Sequence, residues 1–286
     1  IASEKASLAL VCSVTGGVLN MVLDYVFIAL FSMGIEGAAI ATGLGYSVTA
    51  VVGLFVFGNK KNLLYFTRPA FRFKVLSGAA ANGCSEMATA MVTGIITMMF
   101  NWTMLHYVGE NGVAAVTIIM YVLMFASSLY TGYSYGVAPM ISYYYGEKNS
   151  EKLKKIINSS LKIIAAISAA TAAASFAAAK PLVTVFARPD NPVYSLAVTG
   201  NQICTPALLF IGFNIFASGA FTALSNGIVS AVLAFSRSFV FMLITMLILP
   251  AFLGINGIWL ATPAAELMAL ALSAGMFVKY RRMYLG

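Results

Sequence analysis

Residues 34–42 read G-I-E-G-A-A-I-A-T, and residues 254–262 read G-I-N-G-I-W-L-A-T. Five of these nine positions are identical, a sixth pairs Ile40 with Leu260, and the offset is 220 residues. Each copy opens a long apolar stretch, so the repeat unit spans several membrane helices. It is nearly as long as the 286-residue chain, which begins at Ile1 and has no room for two complete copies. The pattern predicts a two-lobed membrane protein of which this sequence holds one lobe and part of the other. Gly34 with Gly37, and Gly254 with Gly257, suit a tight turn followed by close helix approach. The plainer reading is an inexpensive packing motif that recurs by chance. Identities across the whole stretch, in matched slots, favour the repeat.

Composition fixes the solvent. The chain is 60% hydrophobic and 9% charged, with mean hydropathy +0.90, where a soluble domain carries about 25% charged residues. Apolar runs of 18 or more residues recur, each long enough to cross a bilayer as a helix. A membrane β-barrel would show alternating segments of about 10 residues. Stretches 112–146 and 156–186 are too long and do not alternate. No cleavable signal peptide is visible, since the first apolar segment reads as a spanning helix. The fold class is all-α and polytopic.

Eight helices are expected, near 6–31, 35–57, 74–106, 112–145, 153–179, 194–224, 229–252 and 256–278. Pro139 and Pro206 fall inside helical stretches and are candidate kinks. The net charge of +8 sits in alternate loops, which is an orientation pattern and not a nucleic-acid surface. Lys60, Lys61, Arg68, Arg72 and Lys74 mark one connection, Lys148, Lys152, Lys154 and Lys155 another, and Lys279, Arg281 and Arg282 the tail. The turns near 32–35, 107–111 and 253–255 carry no base. The positive-inside rule then puts both ends of the chain in the cytoplasm. The expected division is 1–57 as the last two helices of the N-terminal lobe, 58–74 as a cytoplasmic linker, and 75–286 as a complete six-helix C-terminal lobe.

Enzyme chemistry finds no footing. There is no phosphate-binding loop and no catalytic triad, and Gly43-x-Gly45 stands alone within a membrane helix. Cys12, Cys84 and Cys204 lie far apart in apolar segments and read as packing residues. His106 is the sole histidine. No cofactor is expected, and transport coupled to an ion gradient is the natural alternative to ATP-driven pumping.

The polar residues within the apolar helices are the functional candidates, because a charge in the bilayer normally faces a cavity or the bundle interior. Asn20 and Asp24 share one helix face, and Thr42 lies at similar depth on the next helix. These oxygens suit a sodium ion or a protonatable carboxylate, or else a structural network between two helices. Glu86, four residues after Asn82, falls near the midplane and reads as a proton carrier, or as a buried acid that only hydrogen-bonds. Glu266 follows Pro263 and reads as a third coupling site or, preferably, as a partner for backbone groups that the proline frees. Asn101, Tyr121, Tyr130, Tyr133 and Asn214 could line a pocket for a flat organic cation. Several of the tyrosines suit interfacial anchoring equally.

In order and spacing these residues resemble the multidrug and toxic compound extrusion family, MATE. The resemblance runs through Asn20-x-x-x-Asp24, then Gly34-x-x-Gly37-Ala38-Ala39-x-Ala41-Thr42, then Asn82-Gly83-x-Ser85-Glu86 with Asn101 beyond. It continues through Pro139-x-x-Ser142-Tyr143-x-Tyr145-Gly146 and closes on Pro250-x-x-x-Gly254-x-x-Gly257-x-Trp259-x-x-x-Pro263-x-x-Glu266. It implies a twelve-helix, two-lobed antiporter of the prokaryotic inner membrane, monomeric at full length. Such an antiporter exports organic cations and drugs in exchange for protons or sodium. The implied cation site uses Asn20, Asp24 and Thr42 with an Asp on a first helix that this sequence does not contain. Glu86 matches an acid linked to coupling. Ala80 and Ala81 depart from the bulkier residues common there. Two rivals are a lipid-linked sugar flippase of the same superfamily and a membrane receptor or scaffold. The scarcity of internal bases, with Arg237 the one near a helix interior, speaks against the flippase.

Overall fold

Gly34 and Gly254 have φ of +57° and +56°, the left-handed region that favours glycine. Gly254 turns the chain directly from one membrane helix into the next, and Gly34 opens the second helix of its pair after the three connecting residues 31–33. Three residues on, a Cβ on Gly37 would stand 2.8 Å from Phe27 Cβ. One on Gly257 would run into the Leu249 carbonyl and stand 2.7 Å from Pro250 N. Both copies of the repeated sequence thus perform the expected tight turn and close approach.

The computed structural model describes residues 6–62, 65–67 and 72–285, and their side chains apart from 6, 74, 75, 78–90 and 281–285. The chain divides into two compact units, residues 1–78 and 79–286. In the first, α1 (Ala6–Asp24) continues as a π-helical segment, Tyr25–Leu30, and turns into α2 (Gly34–Gly58). The two helices cross where side chains vanish: a Cβ on Gly16 would stand 2.8 Å from the Gly45 carbonyl oxygen, and one on Gly45 2.9 Å from that of Gly16.

The second unit is built from α3 (Phe73–Val108), which enters it at residue 79, α4 (Glu110–Gly146), α5 (Ser150–Ala177), the short α6 (Ala179–Thr184), α7 (Pro192–Ala223), α8 (Gly227–Leu253) and α9 (Ile255–Leu285). Its connections are short because each has a local stop signal. Gly109 takes φ +82° between α3 and α4. The side chains of Asn149, Asn191 and Asn226 accept from Lys152, Val193 and Val229 N–H to cap α5, α7 and α8. These caps satisfy donors that a helix start otherwise leaves orphaned.

Helix α7 is the centre of this unit. Over its apolar stretch 56% of residues are buried, against 17% for α8. One core cluster joins Phe100 and Met104 of α3, Val116 and Ile119 of α4, Cys204 of α7 and Trp259 of α9. Gly200 admits that indole, since a Cβ there would stand 2.8 Å from the Trp259 ring. A second cluster gathers Ile141, Leu153, Ile157, Phe216, Phe221 and Leu233.

Seven helices among the described residues are long and apolar enough to cross a membrane: α1 with its π segment, α2, α4, α5, α7, α8 and α9. The eighth expected span falls on α3, a 36-residue helix whose first half includes the undescribed side chains 78–90. The protein is therefore an all-α, polytopic membrane protein. The prolines behave differently from one another. Pro206 sits in a 3-10 turn, Thr205–Ala207, that interrupts α7, whereas α4 runs unbroken through Pro139. In α9, Pro263 leaves the Trp259 carbonyl without its helical donor. The Cys204 thiol takes that place at 3.1 Å, so the expected partner, Glu266, is free for other contacts.

Candidate functional site

The glycine crossing of α1 and α2 sets the polar residues of the first unit side by side. A Cβ on Gly45 would lie 3.0 Å from Asn20 Cβ, so Asn20 lies against α2, and Thr42 is one turn before Gly45. The Thr42 hydroxyl donates to the Ala38 carbonyl at 2.9 Å, which leaves its oxygen free to accept from Asn20 Nδ2 at 3.5 Å. A cavity of about 400 Å³ opens beside them, lined by Ser13, Gly16, Gly17, Asn20, Thr42, Gly45, Tyr46 and Thr49. Its polar groups are oxygens and one amide, the ligand type of hard cations.

Asp24 lies one helical turn beyond Asn20 and outside the cavity lining. It is the last residue of regular α geometry before the π segment. Single π turns often mark functional positions, because the extra residue re-aims the side chains around it. Asp24 Oδ1 is buried and has no hydrogen-bond partner. A buried carboxylate oxygen without a donor is costly unless a proton or a cation reaches it. The structure thus joins Asn20 to Thr42 and places Asp24 next to them with an oxygen unspent. Asn82 and Glu86 lie on α3, and their side chains fall outside the described residues.

The remaining expected site residues separate into two groups. Tyr130 and Asn214 are each 2% exposed. Tyr130 donates to the Leu208 carbonyl at 3.0 Å and pairs with Thr171 at 2.6 Å, inside the bundle. Tyr130→Phe is expected to lower stability by about 1 kcal/mol, read as a lower Tm of the detergent-purified protein. Tyr121, in contrast, is exposed and stacks on Phe186 at 6.1 Å. Those two rings flank an apolar pocket of about 350 Å³ between α4, α5 and α6. Tyr133 is partly buried against the second core cluster. Asn101 lines a shallow groove with Thr97, Trp102 and Glu110.

One constellation escapes a reading of residues one at a time. Glu266 is 5% exposed and its carboxylate receives Arg237 Nε at 2.8 and 3.1 Å. Asn214 Nδ2 donates to the same carboxylate at 2.7 Å and to the Glu266 backbone carbonyl at 2.9 Å. Ser273 donates to Asn214 Oδ1 at 3.2 Å and fixes the amide's orientation. Arg237 belongs to a second π segment, Ser236–Phe241. The available signal was the coexistence of one base and one acid in adjoining apolar helices, which rarely stay apart in a bilayer. Among the described residues no three His, Cys, Asp or Glu side chains gather as a metal site.

A family model described as MatE matches residues 86–248. The multidrug export protein MepA of Staphylococcus saprophyticus is 23% identical over 259 residues, covering 89% of this chain and 56% of its own length. MepA of Staphylococcus aureus is 23% identical over 258 residues, covering 88% of this chain and 56% of that protein. This chain therefore spans little more than half the length of the curated relatives it matches. Among solved structures, the inward-facing conformation of a multidrug resistance MATE family transporter of the MOP superfamily superposes with TM-score 0.85 at 23% identity. That match covers 99% of this chain and 65% of the other. The outward-facing conformation of such a transporter gives TM-score 0.78 at 21% identity, covering 96% and 63%. A MOP superfamily transporter from Pyrococcus furiosus, whose binding pocket is described as having reverse polarity, gives 0.77 at 21%, with 96% and 63% covered.

Proposed function

Because this chain belongs to the MatE family, we propose that it forms part of a secondary active antiporter. The antiporter exports organic cations and drugs in exchange for protons or sodium ions. The observation that carries the reading is the first unit's site: Asn20 and Thr42 in contact beside a cavity, with a buried, unpartnered Asp24 oxygen one turn away. A site of oxygens with one acid can exchange a proton or a sodium ion as its surroundings change. The name of the staphylococcal relatives, multidrug export protein, supports the same substrate class.

The finer arrangement in this proposal has eight crossings, with α3 as the eighth, out of twelve in two lobes. Residues 1–57 close the N-terminal lobe, 58–74 form a cytoplasmic linker and 75–286 make up the C-terminal lobe. Both ends of this chain face the cytoplasm of a prokaryotic cell, across the inner membrane, and the full-length protein acts as a monomer. Asn20, Asp24 and Thr42 form one coupling site, Glu86 is a separate coupling acid on α3, and Asn82 supports Glu86. Asn101, Tyr121 and Tyr133 contribute to substrate contact.

The test is substrate-dependent ion movement. Full-length protein in proteoliposomes, given an inward proton or sodium gradient, is expected to move a cationic dye against its own gradient. Dissipating that gradient with the matching ionophore should stop the movement. Dye flux that ignores both gradients would sink the antiport reading. Glu86→Gln is expected to reduce the gradient-driven component with insertion unchanged, measured in the same vesicles.

A further inference from the structure

The two helix pairs α1–α2 and α8–α9 each open their second helix at a copy of the repeated sequence. In the first unit, Gly17 and Tyr46 line the cavity between α1 and α2. In the second, Arg237 of α8 and Glu266 of α9 form an ion pair, Nε 2.8 Å from Oε1. One helix pair holds open space, and the other holds a positive charge of its own.

We propose that the Arg237 guanidinium is a tethered cation. It holds Glu266, between α8 and α9, so that this acid takes no external ion. This rests on the reading that the α1–α2 site serves an external cation.

Three observations support it. Both Glu266 oxygens accept hydrogen bonds, from Arg237 and from Asn214, whereas the buried Asp24 Oδ1 accepts none. Asn214 is itself locked by Ser273, which makes the acceptor geometry rigid. Among the described residues, the groups that reach the pair by hydrogen bonds from α7 and α9, Asn214 directly and Ser273 through it, are neutral, and Arg237 is the counter-charge of Glu266. The physics favours exclusion. A guanidinium stays charged across the accessible pH range, and being covalently attached it competes at a high effective concentration. Removing either partner leaves a buried charge uncompensated. The Glu266 carboxylate then becomes a site for sodium or a proton.

The test uses the full-length protein and its Tm in detergent. Sodium chloride is titrated against choline chloride at fixed ionic strength, and a pH series is run alongside. Arg237→Met is expected to gain an added cation-dependent rise of about 2–4 °C, which Arg237→Met with Glu266→Gln lacks. Glu266→Gln alone, with Arg237 in place, is expected to show the wild-type cation dependence. The idea is overturned if Arg237→Met depends on cations no more than wild type. It is equally overturned if Glu266→Gln weakens the dependence of protein that retains Arg237. Should Arg237→Met not accumulate in the membrane, the Glu266→Gln comparison decides alone: equal dependence supports the tethered cation and reduced dependence refutes it. Failure of the α1–α2 reading shows elsewhere, as coupled transport surviving Asp24→Asn, and leaves the Glu266 comparison intact.

Discussion

Asp24→Asn in the full-length protein is expected to bring gradient-driven efflux down to the level of empty vesicles, while the protein still inserts and melts near the wild-type temperature. The two halves of this result have separate causes. Asparagine keeps the shape of aspartate but cannot take up a proton or balance a cation's charge, so an ion gradient has nothing to act on. Stability survives because Asp24 Oδ1 makes no hydrogen bond that the change would break, and burying a neutral amide costs less than burying a carboxylate. The neighbouring contact, Asn20 Nδ2 to Thr42 Oγ1 at 3.5 Å, is untouched. Dye efflux from vesicles, with insertion and Tm measured on the same preparation, separates the two halves. Efflux at the wild-type rate would remove Asp24 from the coupling machinery.

The second large effect is structural. Gly257→Ala is expected to cost about 2–3 kcal/mol and to reduce the amount of folded protein in the membrane. The atoms a Cβ would meet are the Leu249 carbonyl and Pro250 N. These are backbone, so relief requires moving α8 away from α9. That displacement would also strain the Arg237–Glu266 pair, which bridges the same two helices. Gly254→Ala is expected to cost less, about 1–2 kcal/mol, because its penalty is the positive φ alone: nothing stands within 4 Å of the added carbon. Thermal unfolding in detergent would rank the two, and a Gly257→Ala protein that melts with wild type would refute the close backbone contact.

Much of this architecture was readable before any coordinates. The turn at Gly34 and its echo at Gly254 follow from a residue type with one conformational privilege. Helix ends near 108, 146 and 223 were placed to within a few residues by charge and by glycine or asparagine. The π segments at Tyr25–Leu30 and Ser236–Phe241 left no such trace. They insert one residue into a turn without changing composition, so hydropathy cannot register them. The reading of Glu266 as a partner for backbone freed by Pro263 gave way to Cys204, because a thiol on a neighbouring helix reaches that carbonyl. Periodicity along one helix contains nothing about the facing one.

The bilayer as solvent, the helical class and the paired tight turns were set by the sequence alone. Each depends on residue type and on spacing within a single segment. Tertiary structure decided which acids are occupied. Asp24 keeps an oxygen unspent, while Glu266 is held by Arg237 across 29 residues and by Asn214 across 52. Both are lone carboxylates in apolar helices and look alike as letters. What distinguishes them is electrostatic pairing between helices, fixed only when α7, α8 and α9 pack and bring a base and an amide within 3 Å of one carboxylate.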